Sequence, residues 1–184
     1  MIIKRMRKKL AIGLTTLVLA TGPIVRAEDQ TLLMLNDDQI TQIRLNCVEV
    51  QSTLQRLHSS DALLRVNLGQ RYEAIATKLM TPMNNRVALN RVDSAPITKT
   101  TTDFNNTLDD FRERYKQYEQ SMTRALQVKC QDQPVAFFDA VTLARIHRAN
   151  LREVVVKLNS QLAQYREQID TIRQRMQSEE AKKS

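Results

Sequence analysis

Tryptophan is missing from this chain, and backbone punctuation is scarce: three Gly and four Pro in 184 residues. A β-rich domain needs turn residues between its strands, so the shortage excludes a fold of many short hairpins and points to helices. Aromatic content is low, which leaves the core to Leu, Ile, Val, Met and Ala with a few Phe and Tyr. The sequence also lacks a Gly-rich phosphate loop, a nucleophile motif and any closely spaced His or Cys ligand set. Asp109-Asp110 and Glu179-Glu180 read as solvated faces rather than paired catalytic carboxylates. No enzyme activity, cofactor or metal is expected.

The formal charge of +8 belongs mostly to the N-terminus. Lys4, Arg5, Arg7, Lys8 and Lys9 precede an apolar run over residues 10–20, and Val25-Arg26-Ala27 places small or apolar residues where a signal peptidase reads them. Residues 1–27 are therefore expected to be a cleaved signal peptide. The alternative, a retained anchor, is opposed by a run shorter than the roughly twenty residues of a membrane span and by Gly22-Pro23. No cysteine follows the run to carry a lipid. The segment holds six of the 28 basic residues and none of the 20 acids, leaving a balance of about +2, which is a poor argument for nucleic acid. The expectation is export across the cytoplasmic membrane, with the chain secreted or attached to the cell envelope.

Cys47 and Cys130 remain after the leader. In an oxidising compartment such a pair reads as a disulfide; two separate buried thiols are the alternative, and a redox or metal pair would need closer spacing.

Hydrophobic periodicity predicts three long helices, over residues of about 36–80, 96–129 and 133–177. Leu35-Asn36-Asp37-Asp38-Gln39-Ile40 starts the first, with Asn36 and Gln39 as a capping box and Leu35 with Ile40 as a staple. Its seam is Ile40, Ile43, Cys47, Val50, Leu54, Leu57, Asp61, Leu64 and Leu68, continuing through Tyr72, Ile75 and Leu79. Pro82 is expected to end it near Met80, before a connector with the apolar patch Val87-Ala88-Leu89. The second seam is Ile97, Phe104, Leu108, Phe111, Tyr115, Tyr118, Met122 and Ala125. The third opens at Pro134 and runs Phe137, Val141, Ala144, Arg148, Leu151, Val155, Leu158, Leu162, Tyr165, Ile169, Ile172 and Met176. Residues 179–184 are expected to be a disordered tail.

Narrow apolar stripes and short connections predict an all-α fold, an elongated antiparallel three-helix bundle or coiled coil with one inter-helix disulfide, spanning residues 28–178. A helical ruler supports it. If the chain reverses between Met80 and Ile97, Cys47 and Cys130 both lie about 33 residues from the reversal and fall at one height. The same ruler puts Asp61 and Arg148, the charged members of two seams, about 21 Å above the disulfide, predicting a buried ion pair with Tyr115 and Tyr118 beside it. Rotation of each charge toward solvent is the alternative. The third helix should also overhang the first by on the order of 13 Å. The overhang carries Tyr165, Ile169, Ile172 and Met176, either packed on the connector or free as an interaction surface.

His58 and His147 fall near Asp61 in height, but a metal or acid–base site there lacks a further ligand. Asn105-Asn106-Thr107 matches a glycosylation acceptor that matters only in a eukaryotic secretory pathway. The arginines of the third helix are interleaved with acids, as on a solvated face.

Ser60-Asp61-Ala62-Leu63-Leu64-Arg65-Val66-Asn67 and Pro134-Val135-Ala136-Phe137-Phe138-Asp139-Ala140-Val141 resemble segments of uncharacterised small exported helical proteins from genome-reduced candidate-phylum bacteria. That resemblance implies fold, export and paired cysteines, and no activity. Leu35-Asn36-Asp37-Asp38-Gln39 is similar to the Leu-Thr-x-x-Gln signature of periplasmic chaperones of the Spy and CpxP type. It departs from it by Asn for Thr and by the lack of a second copy, and a capping box needs the same residues. The expectation from the whole sequence is a non-enzymatic exported helical protein acting through protein–protein contacts. Its mark would be an apolar stripe left uncovered on the overhang or along Val48, Leu63 and Val66. A periplasmic chaperone with a concave apolar and basic surface is the alternative.

Overall fold

The computed structural model describes residues 35–183; the expected signal peptide lies outside them. The helices are α1 (Asp37–Leu45), α2 (Cys47–Ile75), a π-helical turn (Ala76–Met80), α3 (Thr81–Leu89), α4 (Ala95–Gln127) and α5 (Pro134–Lys183), with no strand among the described residues. None of these helices is long and apolar enough to cross a membrane.

The start of α1 is set locally. The Asn36 side chain accepts from the Gln39 N–H at 2.8 Å, and the Gln39 side chain accepts from the Asn36 N–H at 2.9 Å. Asp37 and Asp38 add negative charge where the helix dipole favours it. The expected unbroken first helix is interrupted at Asn46, whose side-chain amide donates to the Gln42 carbonyl at 2.9 Å. Asparagine competes with the helix for its own backbone partners, which loosens the turn.

Pro82 does not end the helix near Met80, as the sequence predicted. A proline ring collides with the carbonyl four residues back and brings no N–H. The chain widens instead: Thr81 N–H reaches the Ala76 carbonyl five residues back, and the Thr81 hydroxyl donates to the same oxygen at 3.0 Å. Buried residues here recur in steps of four: Tyr72, Ala76, Met80, Asn84. In a regular helix each such step drifts by about 40°, and the wide turn absorbs the drift. Leu79, placed in the seam by its spacing, is accordingly exposed while Met80 is buried.

A Schellman cap closes α3. Val92 N–H donates to the Val87 carbonyl at 3.3 Å and Arg91 N–H to the Ala88 carbonyl at 3.0 Å. Arg91 holds the left-handed position, φ 58°, where glycine is usual.

One face of α4 is buried from Ile97 to Ala125. Thr100, Thr101 and Thr107 lie on that face, and each hydroxyl is satisfied by the carbonyl four residues earlier. The main core unites Tyr72, Ala76, Met80, Phe104, Leu108, Phe111, Tyr118, Met122, Leu151, Val154 and Leu158. Tyr72 sits edge-on to Phe104 and Phe111, each with ring centroids 6.0 Å away. A smaller cluster surrounds the disulfide, and a third joins Val87, Ile97 and Ile172.

Cys47 is bonded to Cys130, with Cα atoms 5.6 Å apart. Going up α2, partners on α4 fall in number, from Cys130 just beyond it through Tyr118 to Phe104. Partners on α5 rise, from Arg148 to Asn159. α5 lies along α4 and α2 packs on α4, yet no Cα of α2 or α3 comes within 8 Å of one in α5. Side chains, not close backbones, bridge that seam.

The expected disordered tail is also corrected: residues 179–183 continue α5. No Gly or Pro interrupts the segment, and acids precede lysines in Glu179-Glu180-Ala181-Lys182-Lys183, an order that suits a helix C-terminus.

Candidate functional site

Three polar layers tie α2 and α3 to α5 across their seam. In the first, Arg148 Nε donates to Asp61 Oδ2 at 2.7 Å and Nη2 to Oδ1 at 3.2 Å, while the Tyr118 hydroxyl donates to Oδ2 at 2.8 Å. α2, α4 and α5 each supply one member. The Asp61 side chain is 6% exposed and that of Arg148 45%, so the guanidinium covers the carboxylate from the seam and keeps one edge in water. Burial opposes ionisation of Asp61, but hydrogen bonds from Arg148 and Tyr118 and the charges of Arg148 and Arg65 together outweigh it. They hold the carboxyl below its ordinary value. Tyr118 is pushed up by burial and by its bond to Asp61, and Tyr115 to about 12 by burial and the nearby Glu119 charge. A carboxylate so fully satisfied is a poor proton acceptor and a good register pin.

The second layer is Tyr72 donating to Asn159 Oδ1 at 3.1 Å. In the third, Tyr165 donates to Asn84 Oδ1 at 2.9 Å and to the Met80 carbonyl at 3.2 Å, and Asn84 Nδ2 donates to Thr101 at 2.8 Å. Sequence reading missed both. Asn84 lies just after Pro82, and only the four-residue spacing from Tyr72 could have placed it inside.

The histidines do not converge on Asp61. His58 Nε2 pairs with Glu119 Oε2 at 2.7 Å, and His147 Nδ1 faces the Gln117 carbonyl at 3.1 Å. Among the described residues no three His, Cys, Asp or Glu side chains are grouped to hold a metal ion.

The surfaces are more informative. Of the overhang residues, Ile172 is buried against Val87 and Ile97, and Tyr165 and Ile169 are half-buried there. Only Met176 stands exposed. The stripe therefore packs on the connector for most of its width instead of lying open. Along α1 and α2, by contrast, Leu45, Val48, Leu63 and Val66 point outward, with Leu45 and Val48 more than 70% exposed. Leu64, a member of the expected seam, joins them.

Near the disulfide, a groove of about 580 Å³ opens between α2 and α5. Its floor includes Val50, Leu54, Leu57, Met122, Val141 and Ala144, and Arg145 and Arg148 stand at its edge with Glu49 opposite. A concave apolar bed with cations on one side can hold an amphipathic segment.

Comparison with protein-family models, with curated protein sequences and with solved structures gives no match, so a reading of function rests on these residues alone.

Proposed function

We propose that this chain is a non-enzymatic, exported antiparallel three-helix bundle that acts through protein–protein contacts at the cell envelope. Export rests on the basic and apolar leader of the sequence. The bundle topology is supported by the opposed order of partners on α4 and the matched order on α5. The observation that carries the function is two pairs of outward apolar side chains on α1 and α2, Leu45 with Val48 and Leu63 with Val66. Single exposed apolar side chains are ordinary, but neighbouring pairs on one helical face suit a contact surface. A photo-crosslinker at Leu63 tests it in the native envelope, with Lys116 on exposed α4 as the control. A discrete adduct is expected at Leu63 and none at Lys116. Equal labelling at both, or none, sinks the reading.

The groove beside the disulfide favours a second reading, a periplasmic chaperone of the Spy and CpxP type. Such a chaperone needs a concave surface that is both apolar and basic. It predicts suppressed aggregation of an unrelated unfolded client, with the effect lost on Leu57→Glu. A dedicated binder predicts a single saturable partner and no such suppression.

A further inference from the structure

We propose that the groove between α3 and the last turns of α5 receives a short acidic amphipathic helix of a partner protein. This rests on the protein-contact reading above and names the chemistry of one partner. The two helices bury Val87 against Ile172, but their backbones stay more than 8 Å apart, leaving two adjoining hollows of about 440 Å³ and 480 Å³ along the seam. The hollows share Met83, Arg86 and Ile169 and so form one furrow around the Arg86 side chain. Its bed is apolar: Leu79, Pro82, Met83, Ile169 and Met176. Two of these are methionines, which repack around varied side chains with little strain.

Charge selects the partner. Lys78, Arg86 and Arg166 line the furrow, are exposed, and form no ion pair among the described residues. Asp170, on the same wall, is already held by Arg173 at 2.9 Å. Glu180, at the far end, is the remaining acid. Free cations flanking an apolar bed attract carboxylates spaced around apolar anchors and repel a basic helix. From Lys78 to Asn90 the furrow is about 18 Å long, room for roughly three turns of a partner helix. The bed is recessed between two helices, where a second helix fits and a flat bilayer does not reach.

The test uses the full mature chain and a labelled synthetic peptide of about twelve residues, Leu on one helical face and Glu elsewhere, followed by fluorescence anisotropy. A peptide with Lys for each Glu is the comparison. Saturable binding of the Glu peptide is expected, weakened by salt and by about tenfold or more in Arg86→Glu and in Arg166→Glu, with no binding of the Lys peptide. Both positions are exposed, so unchanged thermal melts are expected; Lys78→Glu serves as a third variant. Absence of binding, equal binding of both peptides, or indifference to all three variants overturns the proposal. Co-sedimentation with phosphatidylglycerol vesicles without peptide binding also overturns it, in favour of a lipid headgroup. A Leu63 adduct without peptide binding refutes this furrow alone, whereas peptide binding without a Leu63 adduct refutes the α1–α2 pairs alone.

Discussion

Replacing Arg148 with Met should destabilise this protein more than replacing Asp61 with Asn, although the two side chains form one pair. The asymmetry follows from exposure. Arg148→Met leaves a carboxylate that is 6% exposed with Tyr118 as its remaining donor. Stranding a buried charge costs about 3–5 kcal/mol, and the remaining tyrosine bond places this case near ~3 kcal/mol. Asp61→Asn leaves a guanidinium that is 45% exposed and free to rehydrate, while Asn still accepts from Tyr118; about 1–2 kcal/mol is expected. With no charge left to strand, the double variant should also lose only about 1–2 kcal/mol, giving a non-additivity of roughly 3 kcal/mol. The pH dependence separates the terms. In the native protein the Asp61 carboxyl sits below its unfolded value of 3.8. Its contribution is therefore present above that value and lost as pH falls through the folded one. In Arg148→Met, burial, the largest influence on Asp61, is left opposed by the Tyr118 hydrogen bond and Arg65. The folded value then rises from its native position, and the deficit at about pH 7 shrinks toward pH 4 as the acid protonates. Urea unfolding followed by circular dichroism at the two pH values measures all four proteins. Additive losses, or a deficit in Arg148→Met that grows on acidification, would refute the argument.

Cys47→Ser with Cys130→Ser opens a loop with a sequence separation of 83; chain entropy sets an upper loss of about 4–5 kcal/mol, and calorimetry should find a lower Tm. Hydrogen exchange in that variant should rise first in α1 and the start of α2, which the disulfide fastens to the region just after α4. Arg91→Gly relieves a left-handed residue in the cap of α3, with an expected gain of about 0.5–1 kcal/mol by urea unfolding. Tyr165→Phe removes the bonds to Asn84 and the Met80 carbonyl and should cost about 1–2 kcal/mol, read as a lower denaturation midpoint. Leu63→Glu, at an exposed site, should change stability by less than about 0.5 kcal/mol while abolishing the crosslinked adduct formed from Val48.

Much of the secondary structure follows from residues acting on near neighbours. The shortage of Gly and Pro, the three-and-four spacing of α4 and the first half of α5, and the capping box at Asn36 all operate within four or five positions. They need no partner. Helical rise is as regular as those signals, which is why arithmetic alone set Cys47 level with Cys130 and Asp61 level with Arg148. It could not say whether the charges turn inward. That depends on Tyr118 and on how far apart α2 and α5 stand, which are properties of three chain segments at once.

The errors have the same origin. Pro82 is a strong local stop, but the packing of Met80, Asn84 and Val87 against α4 and α5 carries the chain through it by widening one turn. The inserted phase shift then exchanges Leu79 for Met80 in the core, and no periodicity rule anticipates an irregular turn. Leu64 keeps the rhythm of the first seam and is still left outside, because α2 faces α4 closely and α5 only through side chains. Helix, cap and height were determined by the sequence itself, since each is a short-range property of the backbone. Which apolar residues are covered, and which grooves stay open, was decided only in the tertiary structure, because burial belongs to the neighbour as much as to the residue.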